Sequence, residues 1–118
     1  MKVVYICSPY SNKDEEIVKE NIENAKRYSH FAVRKNVVPI TPHLMFTQYL
    51  TEKERELALT LDLEIISRVD ELWVFSDTIS QGMATEINFA KRNKTKIRYF
   101  SKYLQEVHNE VSNSKNKI

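Results

Sequence analysis

The chain has 118 residues, 42% hydrophobic and 29% charged, with 18 basic and 16 acidic side chains and a net charge of +2. That is one domain's length, enough to bury a core, and the lone cysteine, Cys7, excludes an internal disulfide. The near-balanced charge argues against a nucleic-acid polymer as partner, no apolar run approaches the ~20 residues of a membrane span, and the N-terminus lacks a signal-peptide pattern, so a cytoplasmic protein away from membranes is expected.

Lys2 to Cys7 is a short apolar run ending in Ser8-Pro9-Tyr10-Ser11. It reads as a buried strand followed by a loop. Asn12 and Glu15 have the spacing of a helix N-cap and its partner. Val18, Ile22, Ala25, Tyr28 and Ala32 then recur at three- and four-residue steps, which predicts an amphipathic helix to about Lys35. Val37 to Ile40 predicts a second strand, ended by Pro39 or placed by it at an edge.

Thr41 to Leu50, with Pro42, His43 and several aromatics, predicts a loop or short irregular helix. Thr51 to Glu54 has the form of a capping box. The helix it opens would carry Leu57, Leu61, Ile65 and Val69 on its buried stripe. Glu71 to Phe75 predicts a third strand. Ser80 opens a helix to about Asn93, and Lys96 to Phe100 predicts a fourth strand. A last helix is expected over Lys102 to Val111. The polar residues 112–118 are expected to fray, leaving one domain over residues 1–111.

Strands alternating with helices point to a mainly parallel sheet of four or five strands, sandwiched between helices as three αβα layers. Ligands of such sheets bind at the carboxyl ends of the strands. Three predicted loops lie there: Ser8 to Ser11, Thr41 to Leu50, and Ser76 to Gly82.

Glu86 sits on the second turn of the Ser80 helix, where the helix dipole favours a carboxylate. It is either a nucleophile at the mouth of the sheet or a carboxylate that only complements the dipole. Asp62 has Ala58, Ile65, Ile66 and Val69 as helical neighbours. It either reaches solvent at the edge of the stripe or has a partner and a task. Two carboxyls in different environments can divide nucleophilic and proton-donating work.

Ser8, Ser80 and the amides near Gly82 could form an anion site at a helix N-terminus. Gly82 is the only glycine, where about eight would be usual, so it is expected where no side chain fits. Tyr5, Tyr10, His43, Phe46 and Tyr49 either line a pocket for a flat ring or fill the core. His43 has no second histidine nearby, so no metal is expected.

Together these motifs make the chain resemble the nucleoside 2-deoxyribosyltransferase-like superfamily, above all its uncharacterised phage and bacterial branch. The likeness is carried by Ser8-Pro9-Tyr10-Ser11, Pro42-His43-Leu44, Asp70 to Phe75, Ile79-Ser80-Gln81-Gly82-Met83, Glu86-Ile87 and Ile97 to Phe100. It implies a Rossmann-like fold and cleavage or transfer at the N-glycosidic bond of a (deoxy)nucleoside or nucleoside 5′-monophosphate.

By that resemblance Glu86 is the catalytic glutamate, Asp62 the aspartate that handles the base, and Tyr5 the tyrosine that touches the nucleophile. Ser80 matches a serine that holds the 5′-phosphate, and Gly82 the first glycine of a Gly-x-Gly-x-Glu turn. Ser8, Pro9, Tyr10, His43 and Met83 complete the expected ligand-binding set. No cofactor is implied; a small-molecule nucleoside or nucleotide and a homo-oligomer are.

The chain departs from the pattern with Ala84 for the second glycine, with no Arg-Gly-Gly stretch, and with Pro9 where the monophosphate glycosidases have a serine. The phosphate preference stays open. So does the alternative of a non-catalytic protein that sequesters a nucleotide signal.

Overall fold

The structure, a computed structural model, describes residues 1–108. It comprises β1 (Val3–Cys7), α1 (Glu15–Arg34), β2 (Val38–Ile40), α2 (Arg55–Ile66), β3 (Glu71–Phe75), α3 (Gln81–Arg92), β4 (Lys96–Phe100) and β5 (Glu106–Val107). Three short 3-10 turns, Pro42–Leu44, Phe46–Gln48 and Glu52–Glu54, link β2 to α2. The strands form one sheet in the order β2-β1-β3-β4-β5. The first three pairings are parallel and the last is antiparallel.

Side-chain alternation sorts the sheet into two faces. Val4, Ile6, Trp73, Phe75 and Phe100 pack with Tyr28 and Ala32 of α1. Tyr5, Cys7, Leu72 and Val74 pack with Ile66 of α2 and Met83, Ile87 and Ala90 of α3. All five residues of β3 are buried, as a central parallel strand requires. The result is the expected three-layer αβα, Rossmann-like fold. From β1 the chain passes through α1 to β2 on one side, then through α2 to β3 on the other. A crevice opens at such a reversal, above the carboxyl ends of β1 and β3.

A charged cluster holds the face under α1. Glu71 is buried and receives hydrogen bonds from Lys2 Nζ and Trp73 Nε1, each at 2.8 Å. Burial pushes its carboxyl up, but donation from Lys2 and Trp73 outweighs burial and holds it below its ordinary value. Arg98 lies 3.8 Å from Glu71 and stacks over the rings of Trp73 and Phe100.

Four expectations need correction. The predicted last helix does not form over the described residues: 102–104 make a turn and β5 returns along β4. Arg98 binds Glu106 at 2.8 and 2.7 Å, and that two-pronged tie selects the hairpin over the helix. The remainder of that helix and the frayed tail lie outside the described residues.

Asp14, not Asn12, caps α1, accepting from the Glu16 amide at 2.9 Å. In α2 the most buried residues are Asp62 and Ile66, while Leu57 is exposed. That helix is turned so that its polar Asp62 points inward and the predicted stripe runs along its flank.

Gly82, the second residue of α3, has ordinary helical surroundings; a Cβ built there meets no atom within 4 Å. The left-handed backbone positions belong instead to Asn36 (φ 64°), Lys94 (φ 61°) and Leu104 (φ 70°). Asn36 and Lys94 directly follow the C-caps of α1 and α3, where glycine is usual. Lysine pays a steric cost there that glycine avoids. Lys94→Gly is therefore expected to stabilise the protein by roughly 1 kcal/mol, read as a higher denaturation midpoint with an unchanged slope.

Candidate active site

Glu86 stands at the floor of the crevice. Ser80 caps α3, its Oγ accepting from the Met83 amide at 3.2 Å. Met83, Ile87 and Ala90 dock α3 on the sheet, and this phase carries Glu86 inward too. Tyr5 Oη donates to Glu86 Oε2 at 2.8 Å, with both residues buried. Asp62 approaches from α2, close enough for its carboxyl to act on that of Glu86. Three elements distant in sequence thus place a phenol and two carboxyls together.

The electrostatics follow from burial. Desolvation pushes the Glu86 carboxyl well up, the neighbouring Asp62 pushes it further, and hydrogen bonds from Tyr5 and Cys7 pull part of the way back. Asp62 is also raised by burial, against hydrogen bonding with Glu86 and Tyr5. Two carboxyls in contact resist double ionisation, so near neutrality they hold one proton between them. Burial raises Glu86 further than Asp62, and donation from Tyr5 to Glu86 offsets part of that rise. Burial and the adjacent carboxyls also push Tyr5 up, so its hydroxyl keeps its proton and remains a donor.

Above this floor is a cleft of about 520 Å³. Ser8, Tyr10 and Ser11 line one wall, and Pro42, His43, Phe46, Thr47 and Leu50 form another. Arg55, Ala58, Leu59 and Asp62 come from α2, and Ser80 to Met83, Thr85 and Glu86 from the start of α3. The Tyr10 and His43 rings sit 4.9 Å apart, tilted by 33°. Asn21 Nδ2 pins the Tyr10 carbonyl and Thr47 Oγ1 pins that of His43, at 2.9 and 2.8 Å. Burial lowers the His43 pKa to about 4, so its imidazole is neutral.

Ser8 Oγ, His43 Nδ1 and Asp62 Oδ1 are buried without a hydrogen-bond partner among the described residues. Unpaired buried polar atoms are rare and costly. All three belong to residues on the cleft wall, where a polar ligand would satisfy them.

Among the expected site residues, Ser8, Tyr10, His43, Asp62, Ser80, Gly82, Met83 and Glu86 line this cleft, and Tyr5 lies beneath it, bonded to Glu86. Pro9 does not line the cleft, nor does the exposed Tyr49. Sequence reasoning left out Cys7, which is buried in the same apolar cluster as Tyr5. It also missed Arg55, two helical turns before Asp62 and so on the same face, a spacing that could have revealed it. Arg55 pairs with Glu52, which also lines the cleft. No group of three or more His, Cys, Asp or Glu among the described residues is placed to hold a metal ion.

A family model described as a domain of unknown function, DUF7768, matches residues 2–100. The chain belongs to the DUF7768 family. No curated protein matches this sequence. The fold of this chain is similar to that of a 2-deoxyribosyltransferase from the psychrotolerant bacterium Bacillus psychrosaccharolyticus, with a TM-score of 0.64 and 19% identity over 91% of this chain and 77% of that one. A 2-deoxyribosyltransferase from Leishmania mexicana gives 0.61 and 19% over 86% and 65%. No helix among the described DUF7768 residues is long and apolar enough to cross a membrane.

The raised Glu86 carboxyl has a measurable consequence. The folded state holds a proton that the unfolded chain releases in the ordinary carboxylate range. Its contribution to stability is therefore full below the ordinary carboxylate range and is lost as pH rises from there through about 8. Glu86→Gln keeps an acceptor for Tyr5 and removes the ionisation. Thermal melts should show the variant gaining on the wild type as pH rises from 5 to 8, by on the order of 2 kcal/mol.

Proposed function

We propose that this protein cleaves or transfers at the N-glycosidic bond of a (deoxy)nucleoside or nucleoside 5′-monophosphate. The observation that carries this reading is the buried Tyr5–Glu86–Asp62 group at the floor of the cleft. The fold shared with two 2-deoxyribosyltransferases supports it. So does the placement of the cleft at the reversal between β1 and β3.

In this reading the Glu86 carboxylate attacks C1′ of the sugar. The C1′–N bond breaks, its electron pair passes to the base, and Asp62 gives the base a proton. The products of this step are a glycosyl ester on Glu86, a neutral base and an ionised Asp62. Water then attacks C1′ and yields a proton to Asp62, which frees the sugar and restores both carboxyls. A second base in place of water makes the reaction a transfer. Tyr5 orients the nucleophile. The capped start of α3 offers amides and Ser80 to the 5′ end of the substrate. Ser8, Tyr10 and His43 face the remainder.

The protein is read as a cytoplasmic homo-oligomer of the phage and bacterial branch. A second reading, sequestration of a nucleotide without turnover, is favoured by Ala84 and by the missing Arg-Gly-Gly stretch.

Incubation with a panel of nucleosides and nucleotides, followed by chromatography for free base, tests the reaction. Glu86→Ala is expected to lose roughly three or more orders of magnitude in base release while still binding the substrate. A 2-fluoro-substituted nucleoside should add one glycosyl mass to the wild type and none to Glu86→Gln. Tight binding of a nucleotide with no turnover of any compound in the panel would establish sequestration instead.

Gly82→Val offers an independent check on the ligand's position. A Cβ at 82 meets no atom within 4 Å, and valine suits a helix better than glycine by a few tenths of a kcal/mol. The variant should fold with undiminished stability yet bind nucleotide at least about tenfold more weakly, because its side chain stands in the cleft. Undiminished affinity would place the ligand away from the start of α3.

A further inference from the structure

The cleft wall carries a cation to which the proposed reaction gives no part. Among the described residues that line the cleft, Arg55 is the only lysine or arginine, and it stands with three acids, Glu52, Asp62 and Glu86. The other basic side chain there, His43, is kept neutral by burial. Arg55 pairs with Glu52 one turn earlier, and both side chains are exposed. An exposed pair of this kind contributes little, so the guanidinium can change partners at small cost. Glu52 is its only hydrogen-bond partner among the described residues. A guanidinium is a fork of several N–H donors, and the rest of them face water or a ligand.

The topology brings Arg55 beside a second feature that favours anions. α2 leads into β3 and α3 leads out of it, and β1, β3 and β4 are parallel. Both helices therefore start at the carboxyl end of the sheet and run inward on one face, where Ile66 of α2 packs with Met83 and Ile87 of α3. Arg55 is the first residue of α2 and lies about 10 Å outward of Asp62 along that helix. Gln81 is the first residue of α3 and lies about 7 Å outward of Glu86. The Ser80 hydroxyl takes the Met83 amide and the Ser80 carbonyl takes that of Ala84. The amides of Gln81 and Gly82 come before the first bond of the helix, where negative charge is favoured. Both residues line the cleft. So does Ser8, 2% exposed, whose Oγ has no hydrogen-bond partner among the described residues. That buried hydroxyl points independently to a polar ligand.

With two carboxyls at the floor and Glu52 on the wall, the cleft repels anions unless a cation offsets that field. We propose that Arg55 selects an anionic ligand for this cleft: its guanidinium turns from Glu52 to the phosphate of a nucleoside 5′-monophosphate and holds it against the first amides of α3. A phosphate matches the guanidinium fork in geometry as well as charge, and the bond is stronger than an exposed ion pair. The proposal rests on the nucleoside reading given above and deepens it.

The test uses carbocyclic 2′-deoxynucleosides of the four DNA bases, each with and without a 5′-phosphate. These have no N-glycosidic bond, so binding is read without turnover. Calorimetric titrations compare wild type with Arg55→Gln, Arg55→Lys and Glu52→Gln. Both side chains are exposed, so the variants are expected to fold. Wild type should bind the phosphorylated member of a pair at least about tenfold more tightly. Arg55→Gln should weaken the phosphorylated probe by about tenfold to a hundredfold and change the unphosphorylated one by less than about twofold. Arg55→Lys should recover part of the loss. Glu52→Gln should strengthen the phosphorylated probe by about twofold to fivefold, because the competing carboxylate is gone. A pair that only fixes the start of α2 would not give effects of opposite sign.

Equal wild-type affinity for both members of each pair, or equal loss of both in Arg55→Gln, would overturn the proposal and leave the nucleoside reading in place. If no probe of either kind binds, the nucleoside reading falls, and thermal melts in inorganic phosphate decide whether Arg55 holds phosphate. Phosphate should then raise the wild-type midpoint above that in chloride of equal ionic strength, and leave that of Arg55→Gln unmoved. The same response in both proteins would overturn the proposal.

Discussion

The structure depends on a carboxylate buried without a cation. Two buried glutamates show what that means. Glu71, at the start of β3, has Lys2 and Arg98 beside it, and its carboxyl is held below the ordinary range. Glu86 has a phenol, a thiol and another carboxyl, and is driven upward. The first arrangement is what a protein uses to make a buried acid harmless. The second leaves the acid poised between its charged and neutral forms, at a cost in stability that other parts of the fold must offset.

The sheet supplies that offset. On one face, rings of α1, β3 and β4 pack closely: Tyr28 against Phe75 at 4.4 Å and Phe75 against Phe100 at 4.8 Å. Arg98 closes this face over Trp73 and ties it to β5. The cleft described above does not open on this side. The opposite face bears α2 and α3, and the cleft opens at their cleft-lining ends. Stabilising aromatic packing and poised carboxyls are therefore divided between the two faces of the same strands, with Trp73 and Phe75 on one and Leu72 and Val74 on the other.

This division explains what the sequence revealed. The four parallel strands and the capping box at Thr51 to Glu54 are local patterns, and they were legible. The phase of α2 was not, because a hydropathy stripe treats Asp62 as a reason to face water, whereas Glu86 and the cleft give it a reason to face inward. The segment from 102 to 107 was misread because Arg98 and Glu106 act across a turn, and a helical pattern there does not reveal a tie to a strand. Scarcity made Gly82 look sterically forced, yet Asn36, Lys94 and Leu104 carry the left-handed backbone. Helical position singled out Glu86 and Asp62, and the resemblance gave them and Tyr5 their roles. Periodicity alone left both carboxylates with a bland reading. Arg55 carried no motif, though its spacing from Asp62 on α2 was there to be read.

The sheet's two borders differ from its interior in a way that bears on how copies of the chain can meet. β2 is three residues long and holds Pro39, which offers no amide hydrogen to a neighbouring strand. β5 spans two residues and lies behind the Arg98–Glu106 tie. Short strands and proline at a border discourage the strand-to-strand docking that lets sheets extend from one molecule into the next. Growth by edge pairing is thus blunted at both ends of the described sheet. An assembly of this protein would meet through helix surfaces or around the rim of the cleft, which makes contact between copies and access to the buried carboxyls parts of one geometric problem.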